Sequence, residues 1–417
     1  MRNVKRIHWL ALLFLCLCAQ AARAQVTVIK AGRLVDAEAG TEAREQVIII
    51  EAGKIKAVGA GLPTPAGARV IDLSRSFVLP GLFDCHTHLL TDWYPAAGLT
   101  PTEEERVPIG MRMVQGVVNA RGMLEAGFTT VRDVGNAPDY TDTSLRNAIE
   151  MGLIPGPTIV NAGKIITPFG GQNRLRFGRP DLFAEEYIYA DTRDELKKAV
   201  RENLHFGARL IKIVVGGIGG YRYSAEDVRF VVEEAASAGL KVAAHCDTDQ
   251  DARNAIEGGV ASVEHGPGMT EETLLLAKSK GVYLVGTDFP EGIAKEQGYR
   301  PALVASFYER LVRAHKVGAL MAFGTDVLLT TQTKSRGAYA LDFVENYLKA
   351  GMKPAEILRM MTTNAARLVG VESQRGAIRP GLAADIIATP ADPLEDIDAL
   401  KQVNFVMKDG RVFKPSS

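Results

Sequence analysis

The sequence predicts an α/β protein, a (β/α)8 TIM barrel joined to a small β-sandwich domain that is built from both chain ends. Three observations support this prediction. Eight short apolar segments in the middle of the chain alternate with segments of helical length, which is typical of parallel strands connected by helices. Both chain ends instead carry short strands separated by turns. Finally, candidate metal ligands lie where the predicted middle strands end.

The alternating middle region supplies the barrel elements. The predicted strands are Ser76–Leu79, Thr129–Asp133, Thr158–Asn161, Arg209–Val215, Lys241–Ala244, Ala261–Glu264, Val282–Val285 and Ala319–Phe323. The predicted helices are Val107–Ala126, Thr143–Met151, Asp191–His205, Ala225–Ala238, Asp249–Glu257, Glu271–Lys280, Pro301–Lys316, Lys334–Leu348 and Pro354–Val369. Ser224-Ala-Glu-Asp227 has the pattern of a helix N-cap and supports the start of the fourth helix.

Closure of the barrel is predicted from the placement of polar residues. Candidate ligands follow predicted strands one, four, five, six and eight. Only a closed barrel, and not an open doubly wound sheet, brings strand eight beside strand one. The predicted domains are a signal peptide (1–24), the barrel (80–370) and a β-sandwich assembled from 25–79 and 371–417.

The first residues have the features of a secretory signal peptide. A basic start precedes the apolar run Trp9–Ala19, and Ala22-Arg23-Ala24 offers a small-x-small cleavage site before Gln25. The run is shorter than the ~20 residues that a membrane-spanning helix needs. A lipoprotein signal through Cys16 or Cys18 is less well supported, because a leucine precedes each cysteine. We expect a secreted or periplasmic protein.

Charge and cysteine content exclude several classes of partner. The chain has 49 basic and 49 acidic residues, and removing 1–24 removes four basic residues and no acid, which leaves a net charge of −4. No Lys/Arg-rich block remains, so we expect neither nucleic acid nor, after cleavage, a membrane as partner. Cys85 and Cys246 are predicted as buried strand residues, with metal ligation as the less favoured alternative. A homo-oligomer remains open.

The histidines point to a metal centre. Four of the six histidines of the mature chain follow predicted strands: His86, His88, His245 and His265. In His86-Thr87-His88 both imidazoles face the same side of a strand, because side chains alternate with a period of two. His-x-His alone is a modest signal. Its combination with two further histidines, spaced by about one strand–helix unit, predicts metal binding.

Lys212 and Asp326 also follow apolar strands, and each has two interpretations. Lys212 could extend its ammonium group to solvent from the rim of the barrel. Alternatively, its neutral amine could take up carbon dioxide and become an anionic carbamate ligand, a form that nearby metal charge would favour. Asp326 could be a turn or N-cap residue. It could instead ligate one metal and accept the proton of the attacking water.

A glycine-rich loop follows the fourth predicted strand. Gly216–Gly220 lacks the G-x-G-x-x-G spacing of a dinucleotide site and is interpreted as a pliable active-site loop. Tyr221, Arg222 and Tyr223 in this loop are candidate substrate contacts. Arg222 could hold a carboxylate and a tyrosine could polarise a carbonyl. For each of these three residues, a place in an exposed loop without any role in substrate binding is an equally good interpretation.

Motifs along nearly the whole mature chain resemble the amidohydrolase superfamily. They are Pro80-Gly-Leu-Phe-Asp-Cys-His-Thr-His88, Gly127-Phe-Thr-Thr-Val-Arg-Asp133, Lys212, His245, Glu264-His-Gly266, Gly324-Thr-Asp326, Gly376-Ala-Ile-Arg-Pro-Gly-Leu-Ala-Ala-Asp-Ile386 and Asp409-Gly410. The chain is most similar to the imidazolonepropionase-related group that includes Xaa-Pro and Xaa-Arg dipeptidases and ochratoxin-type amidases.

The resemblance implies two divalent metal ions, with Zn²⁺ as the expected ion. It implies that His86, His88 and Asp326 hold one ion, that His245 and His265 hold the other, and that Lys212, as N6-carboxylysine, bridges them. Imidazolonepropionase itself is mononuclear and lacks the carbamylated lysine, so Lys212 argues against that activity.

One segment departs from the pattern of the group. Several relatives carry Thr-Gly-Gly-His-Gly after the third strand, where this chain has Pro168-Phe-Gly-Gly-Gln-Asn173. Gln172 replaces the histidine and is itself a candidate substrate contact. We therefore do not assign the substrate specificity of these relatives to this chain.

The predicted function is hydrolysis of an amide bond to a C-terminal amino acid, in a dipeptide or N-acyl amino acid, including ochratoxin-type amides. Asp326 is the predicted catalytic proton acceptor and passes the proton to the leaving amine. Two alternatives remain: a cyclic amide or lactone hydrolase with the same metals, and a non-catalytic barrel protein that binds partners. Retention of all six ligand-type residues argues against the last.

Overall fold

The computed structural model describes residues 25–92, 107–171, 185–216 and 220–416. The predicted signal peptide, 1–24, and Gln172 lie outside these ranges. Within them, no helix combines the length and the apolar character needed to cross a membrane.

Strands and helices alternate through the middle of the described chain. The strands are β1 Thr27–Asp36, β2 Thr41–Glu51, β3 Lys54–Ala60, β4 Arg69–Pro80, β5 Leu82–Thr87, β6 Phe128–Asp133, β7 Thr158–Asn161, β8 Ile165–Thr167, β9 Tyr187–Tyr189, β10 Ile211–Val214, β11 Val242–Cys246, β12 Ser262–His265, β13 Tyr283–Val285, β14 Ile386–Thr389, β15 Phe405–Lys408 and β16 Arg411–Lys414. The helices are α1 Ile109–Glu125, α2 Thr141–Glu150, α3 Arg193–His205, α4 Ala225–Ala236, α5 Asp249–Gly258, α6 Glu271–Lys280, α7 Glu291–Glu296, α8 Pro301–Val317, α9 Arg336–Asp342, α10 Val344–Lys349, α11 Pro354–Met360 and α12 Thr363–Val369.

The two chain ends share one sheet of seven strands in the order β16-β15-β14-β4-β1-β2-β3. β4 lies at the junction, because it pairs parallel with β1 and antiparallel with β14. A cluster of fully buried apolar side chains, among them Ile29, Ile48 and Val78, joins Ile386 and Phe405 from the C-terminal strands. The strands of both chain ends therefore belong to a single hydrogen-bonded sheet.

The middle strands form two parallel sheets, β5-β6-β7 and β13-β12-β11-β10-β8-β9. Backbone hydrogen bonds connect them at two places. Arg209 N donates to Asn161 O at the end of β7 (2.7 Å), and Cys85 N in β5 donates to Phe323 O (2.8 Å). Residues 320–323 in turn bond to β13 through the carbonyl of Leu320 and the amide of Ala322.

Two predicted strands need correction. Ser76–Leu79, predicted as the first barrel strand, is the end of β4, and the first parallel strand is β5. Pro80 cannot donate a backbone hydrogen bond, and Gly81 passes so close to Thr129 that an added Cβ would lie 2.2 Å from its hydroxyl, so the chain changes sheets here. Ala319–Phe323 contributes only an isolated bridge from Met321 to Leu284.

The predicted helices Lys334–Leu348 and Pro354–Val369 are each divided into two. The first divides at Phe343, and the second divides near Thr362, whose φ of −134° and ψ of −92° are not helical. The predicted N-cap at Ser224 is confirmed, because its hydroxyl accepts a hydrogen bond from Asp227 N at 3.2 Å. This capping box fixes the start of α4.

Candidate metal centre

The predicted ligands meet at the carboxyl ends of the parallel strands. His86 lies in β5, His245 in β11 and His265 at the end of β12, and their neighbouring strands run parallel, so these ends share one rim. Lys212 lies in β10 beside Ala243 of β11. All four side chains are buried. The short apolar strands thus carry polar groups inward at one end, which is where catalytic groups concentrate in such folds.

His86, His88 and Asp326 form a compact group. One candidate ligand atom of each lies within 4.8 Å of the others. Asp326 Oδ1 is 3.3 Å from His88 Nε2 and 3.9 Å from His86 Nε2. Two imidazoles and one carboxylate are a common ligand set for Zn²⁺ and other divalent transition metals.

His245 and His265 continue this group. Their ring centroids are 4.7 Å apart, and the His265 ring lies 4.8 Å from that of His86. His265 Nδ1 is 4.0 Å from Asp326 Oδ2. The four histidines therefore form one continuous cluster around Asp326, as the sequence predicted.

Three imidazoles are oriented by hydrogen bonds at Nδ1. His86 Nδ1 pairs with Glu264 Oε2 at 2.7 Å, His88 Nδ1 with Gly135 O at 2.8 Å, and His265 Nδ1 with Thr287 Oγ1 at 2.8 Å. Such a bond fixes the ring and leaves Nε2 for a metal, as in carboxylate–histidine–metal triads. Burial also lowers the pKa of each of the three imidazoles, which favours the neutral form that ligates metals.

The fourth imidazole has a different neighbour. His245 Nε2 lies 3.2 Å from Oδ1 of Asp247, a half-exposed carboxylate two residues further along the chain. Sequence reasoning missed Asp247. Its signal was present, because a carboxylate at the second position after a strand-end histidine faces the same side of an extended chain.

Lys212 is only 2% exposed. Burial lowers the pKa of its amine to about 8, while the charge of Glu264 opposes the shift. A lysine with a pKa near neutrality carries an appreciable fraction of neutral amine, the form that reacts with carbon dioxide. The chemistry required for a carbamate is therefore compatible with this position.

A buried ionic network lies beneath the histidines. Arg132 Nη2 donates to both oxygens of Glu264 (2.7 and 2.8 Å), and Arg132 Nη1 donates to Ser262 Oγ (2.9 Å). Glu264 in turn holds His86. The sequence motifs contained Arg132 and Glu264 without assigning them a role. The available signal was a pair of opposite charges inside apolar strands, where an unpaired charge would be very costly.

Asp326 is held in an unusual backbone conformation. Its φ is +55°, and that of His265 is +62°, both in the left-handed region that non-glycine residues rarely adopt. Such conformations cluster at functional sites. Burial raises the pKa of the Asp326 carboxyl to about 7, with the charge of Lys212 opposing the shift. A carboxyl group with this pKa can accept and release a proton near neutral pH.

The three candidate substrate contacts after β10 lie in different environments. Tyr221 is 52% exposed. Arg222 Nε donates to the buried carboxylate of Asp251 at 2.9 Å. Tyr223 is buried in the apolar core and its hydroxyl donates to Ala190 O at 2.6 Å, so its observed role is packing, and the interpretation as a group that polarises the substrate carbonyl is not supported by this geometry.

The sequence pattern of the amidohydrolase family matches residues 77–413, which include all six ligand-type residues. The chain belongs to the amidohydrolase family. An ochratoxinase of Aspergillus niger is 30% identical over 380 residues, covering 81% of this chain and 75% of the relative. An imidazolonepropionase of Symbiobacterium thermophilum is 25% identical over 355 residues, covering 78% of this chain and 77% of the relative.

Solved structures of amidohydrolases share the fold over most of the chain. A Xaa-Pro dipeptidase with methionine bound in its active site superposes with a TM-score of 0.82 and 29% identity, covering 94% of this chain and 100% of the other. A. niger ochratoxinase superposes with a TM-score of 0.78 and 26% identity, covering 94% and 96%. The protein is therefore a hydrolase of the type that acts on carbon–nitrogen bonds.

Proposed function

We propose that this amidohydrolase uses two divalent metal ions, with Zn²⁺ as the expected ion, to hydrolyse an amide bond to a C-terminal amino acid. The observation that carries the proposal is the cluster of four imidazoles around Asp326, three of them fixed through Nδ1. A site that only stabilised the fold would not need four clustered histidines and a carboxyl group beside a buried lysine.

The residues present fit two ions. His86, His88 and Asp326 would hold one ion, and His245 and His265 the other, with Lys212 as a carbamate contributing to both. Bound there, the metal ions would polarise the scissile carbonyl and lower the pKa of a water molecule. The Glu264–Arg132 network would keep His86 in the tautomer that presents Nε2.

Asp326 is the proposed catalytic residue of the chain itself. Its carboxylate would accept a proton from the attacking water and deliver it to the leaving amine. It lies within 4.0 Å of nitrogens of three histidines, so it faces the centre of the cluster. A positioned acid–base group of this kind contributes roughly 10²–10⁴-fold to a rate.

We also propose that the parallel strands close into the predicted (β/α)8 barrel and that the chain-end strands pack as the predicted sandwich. The hydrogen bonds from Cys85 to Phe323 and from Arg209 to Asn161 support closure. The apolar cluster between the N-terminal and C-terminal strands supports the sandwich.

The substrate class rests on the relatives. Solved relatives include a prolidase complexed with N-methylphosphonate-L-proline, with 28% identity and a TM-score of 0.80, besides the Xaa-Pro dipeptidase and the ochratoxinase. We therefore propose dipeptides or N-acyl amino acids as substrates. The imidazolonepropionase relative favours a cyclic amide as the second candidate. Arg222 Nε is already engaged by Asp251, so a substrate carboxylate would have to bind through the Nη groups or displace this ion pair.

A substrate screen with zinc-reconstituted protein tests this proposal. The panel contains dipeptides, N-acyl amino acids, their carboxyl esters, cyclic amides and lactones, with Asp326→Asn as the control for background hydrolysis. We expect turnover of free acids and a sharply raised KM for the esters. Turnover confined to cyclic amides or lactones would replace the proposal by the second candidate.

We propose, finally, that the protein is exported after cleavage before Gln25. N-terminal sequencing of the protein isolated from its native host should find Gln25 at the N-terminus. Active protein that begins at Met1 would overturn this proposal.

A further inference from the structure

The segment that follows β5 is irregular, yet its carbonyl groups are held one after another by buried side chains. Asn119 Nδ2 donates to Leu89 O and Arg112 Nε to Leu90 O, at 2.9 and 2.8 Å. Arg336 donates to the carbonyl groups on either side, those of His88 and Thr91. Buried carbonyl groups need such partners, so the path of the backbone beyond His88 depends on these three side chains.

Arg336 also binds the backbone of a second loop, whereas Asn119 reaches that loop through a side chain, by accepting a hydrogen bond from Thr330 Oγ1 at 2.7 Å. Its side chain is 1% exposed, and Nη1 donates to His88 O (3.3 Å) and to Val327 O (2.8 Å). Nη2 donates to Thr91 O (2.8 Å) and to Leu328 O (3.2 Å). The carboxylate of Asp92 forms an ion pair with the guanidinium group of Arg336 and balances its charge.

The two loops that meet at Arg336 carry two of the candidate ligands. One follows β5 and begins at His88, and the other begins at Asp326, about 240 residues later in the chain. The planar guanidinium group, with donors at fixed angles, sets the spacing between the loops in a way that a flexible lysine ammonium does not. Arg336 thus lies behind the pair formed by His88 Nε2 and Asp326 Oδ1, which are 3.3 Å apart, and it acts together with the backbone hydrogen bond from Asp326 N to His86 O (2.8 Å).

We propose that Arg336 is a positioning residue, which joins the His88 and Asp326 loops and so builds one of the two metal positions. The inference rests on the proposed metal centre. Arg336 would touch neither metal nor substrate, and its effect would pass through the backbone of the two ligands. Its loss should weaken the position formed by His86, His88 and Asp326, while the position formed by His245 and His265 should change little.

Arg146 provides a matched control. It is also a buried arginine, and it donates to the side-chain oxygen of Asn161 and to the carbonyl of Gly207, and within the described ranges none of its hydrogen bonds reaches a ligand loop. Arg146→Lys and Arg336→Lys should therefore both lower the melting temperature of the metal-free protein. Only the second variant should change metal binding.

Zinc titration against a chromophoric chelator tests the inference without any substrate. We expect the wild type and Arg146→Lys to bind two Zn²⁺ ions. Arg336→Lys should keep one affinity and lose roughly 10–100-fold in the other, the usual cost of removing a partner that orients a ligand. Two unchanged affinities in Arg336→Lys would overturn the inference.

A milder variant covers the case in which Arg336→Lys does not fold. Thr330→Val removes the hydroxyl that accepts from Arg336 Nε at 3.3 Å and donates to Asn119 Oδ1 at 2.7 Å, so it loosens the contact between the same two loops and should weaken the same position to a smaller extent. Unchanged affinities in Thr330→Val would then overturn the inference. A wild type that binds no Zn²⁺ would overturn the metal centre and the inference together, whereas a wild type that binds two ions but cleaves no amide would leave the inference standing and overturn only the proposed substrate.

Discussion

The metal centre and the seven-stranded sheet bury very different side chains. At the rim of the parallel strands, four histidines, Lys212, Glu264 and Arg132 are all nearly inaccessible to solvent. The centre of the seven-stranded sheet instead buries isoleucine, valine, alanine and methionine together with Phe405. Both regions are assembled from parts of the chain that lie far apart in sequence.

This difference separates the residues that stabilise the fold from those that perform chemistry. Apolar burial stabilises the sheet by about 25 cal/mol per Å² of apolar surface removed from water. Buried charges oppose folding unless they are paired and hydrogen-bonded. A cluster of buried histidines, carboxyl groups and a lysine therefore adds little to stability and is explained by function. Substitutions in the two regions should separate activity from stability.

The largest effect on turnover is expected from Lys212→Ala. The variant cannot form the carbamate, so it should lose metal and show no detectable turnover, and short carboxylic acids should restore part of the activity by supplying the missing oxygens. Metal analysis and turnover, with and without added acid, measure this. Lys241→Ala is the matched control, because Lys241 Nζ donates to the carbonyl groups of Arg367 and Leu368, away from the histidines. Full turnover of Lys212→Ala without added acid would contradict the dinuclear proposal.

Asp326→Asn should have the next largest effect. The amide keeps an oxygen that can ligate but cannot accept the proton, so we expect kcat to fall by roughly 10²–10⁴-fold. Metal content should largely remain. Because the wild-type carboxyl group must be ionised to accept a proton, wild-type kcat should fall as the pH is lowered through its pKa, and the variant should lack this decrease. An unchanged kcat and pH profile would show that another group takes the proton.

Glu264→Gln should act more weakly, through His86. The neutral amide loses the charge that balances Arg132 and orients the imidazole, so metal affinity should fall by roughly 10–100-fold. Chelator competition measures the change. Glu202→Gln is the control, since Glu202 pairs with Tyr140 at 2.9 Å, away from the histidines. Equal metal affinities in Glu264→Gln and Glu202→Gln would show that Glu264 does not contribute to the metal site.

The smallest effect on turnover is expected from Ile48→Ala in the seven-stranded sheet. Ile48 is fully buried, so the substitution should lower the free energy of unfolding by about 2–5 kcal/mol. Chemical denaturation measures the loss, and zinc titration of the folded variant should give wild-type affinities. Altered zinc affinity in this variant would show that the two regions are coupled.

The sequence was most informative where local rules determine structure. Strand-end placement and the period of two predicted the cluster of His86, His88, His245 and His265, whereas for Asp326 they left a turn or N-cap role open beside the role of a ligand. The strand β5 was misplaced because an apolar run is continuous across Pro80 and Gly81, and the change of sheet depends on the tertiary contact of Gly81 with Thr129.

Long-range pairing limited the prediction of the surrounding residues. Arg222 pairs with Asp251, and Tyr223 donates to Ala190, and neither partner can be identified from spacing along the chain. The same holds for Arg336. One of its acceptors, Val327, lies in the loop before its own helix, and another, His88, lies more than 240 residues earlier in the chain. Side chains that connect distant loops have no local sequence signature.

We propose that six residues at one rim hold two metal ions and that Lys212 contributes to both as a carbamate. Diffraction at the zinc absorption edge from crystals of the zinc-loaded protein locates the ions. We expect two anomalous peaks roughly 3.5–4 Å apart, with additional electron density for a carbamate on Lys212 Nζ. One peak should lie among His86, His88 and Asp326, and the other beside His245 and His265. A single peak together with an unmodified lysine would contradict the claim.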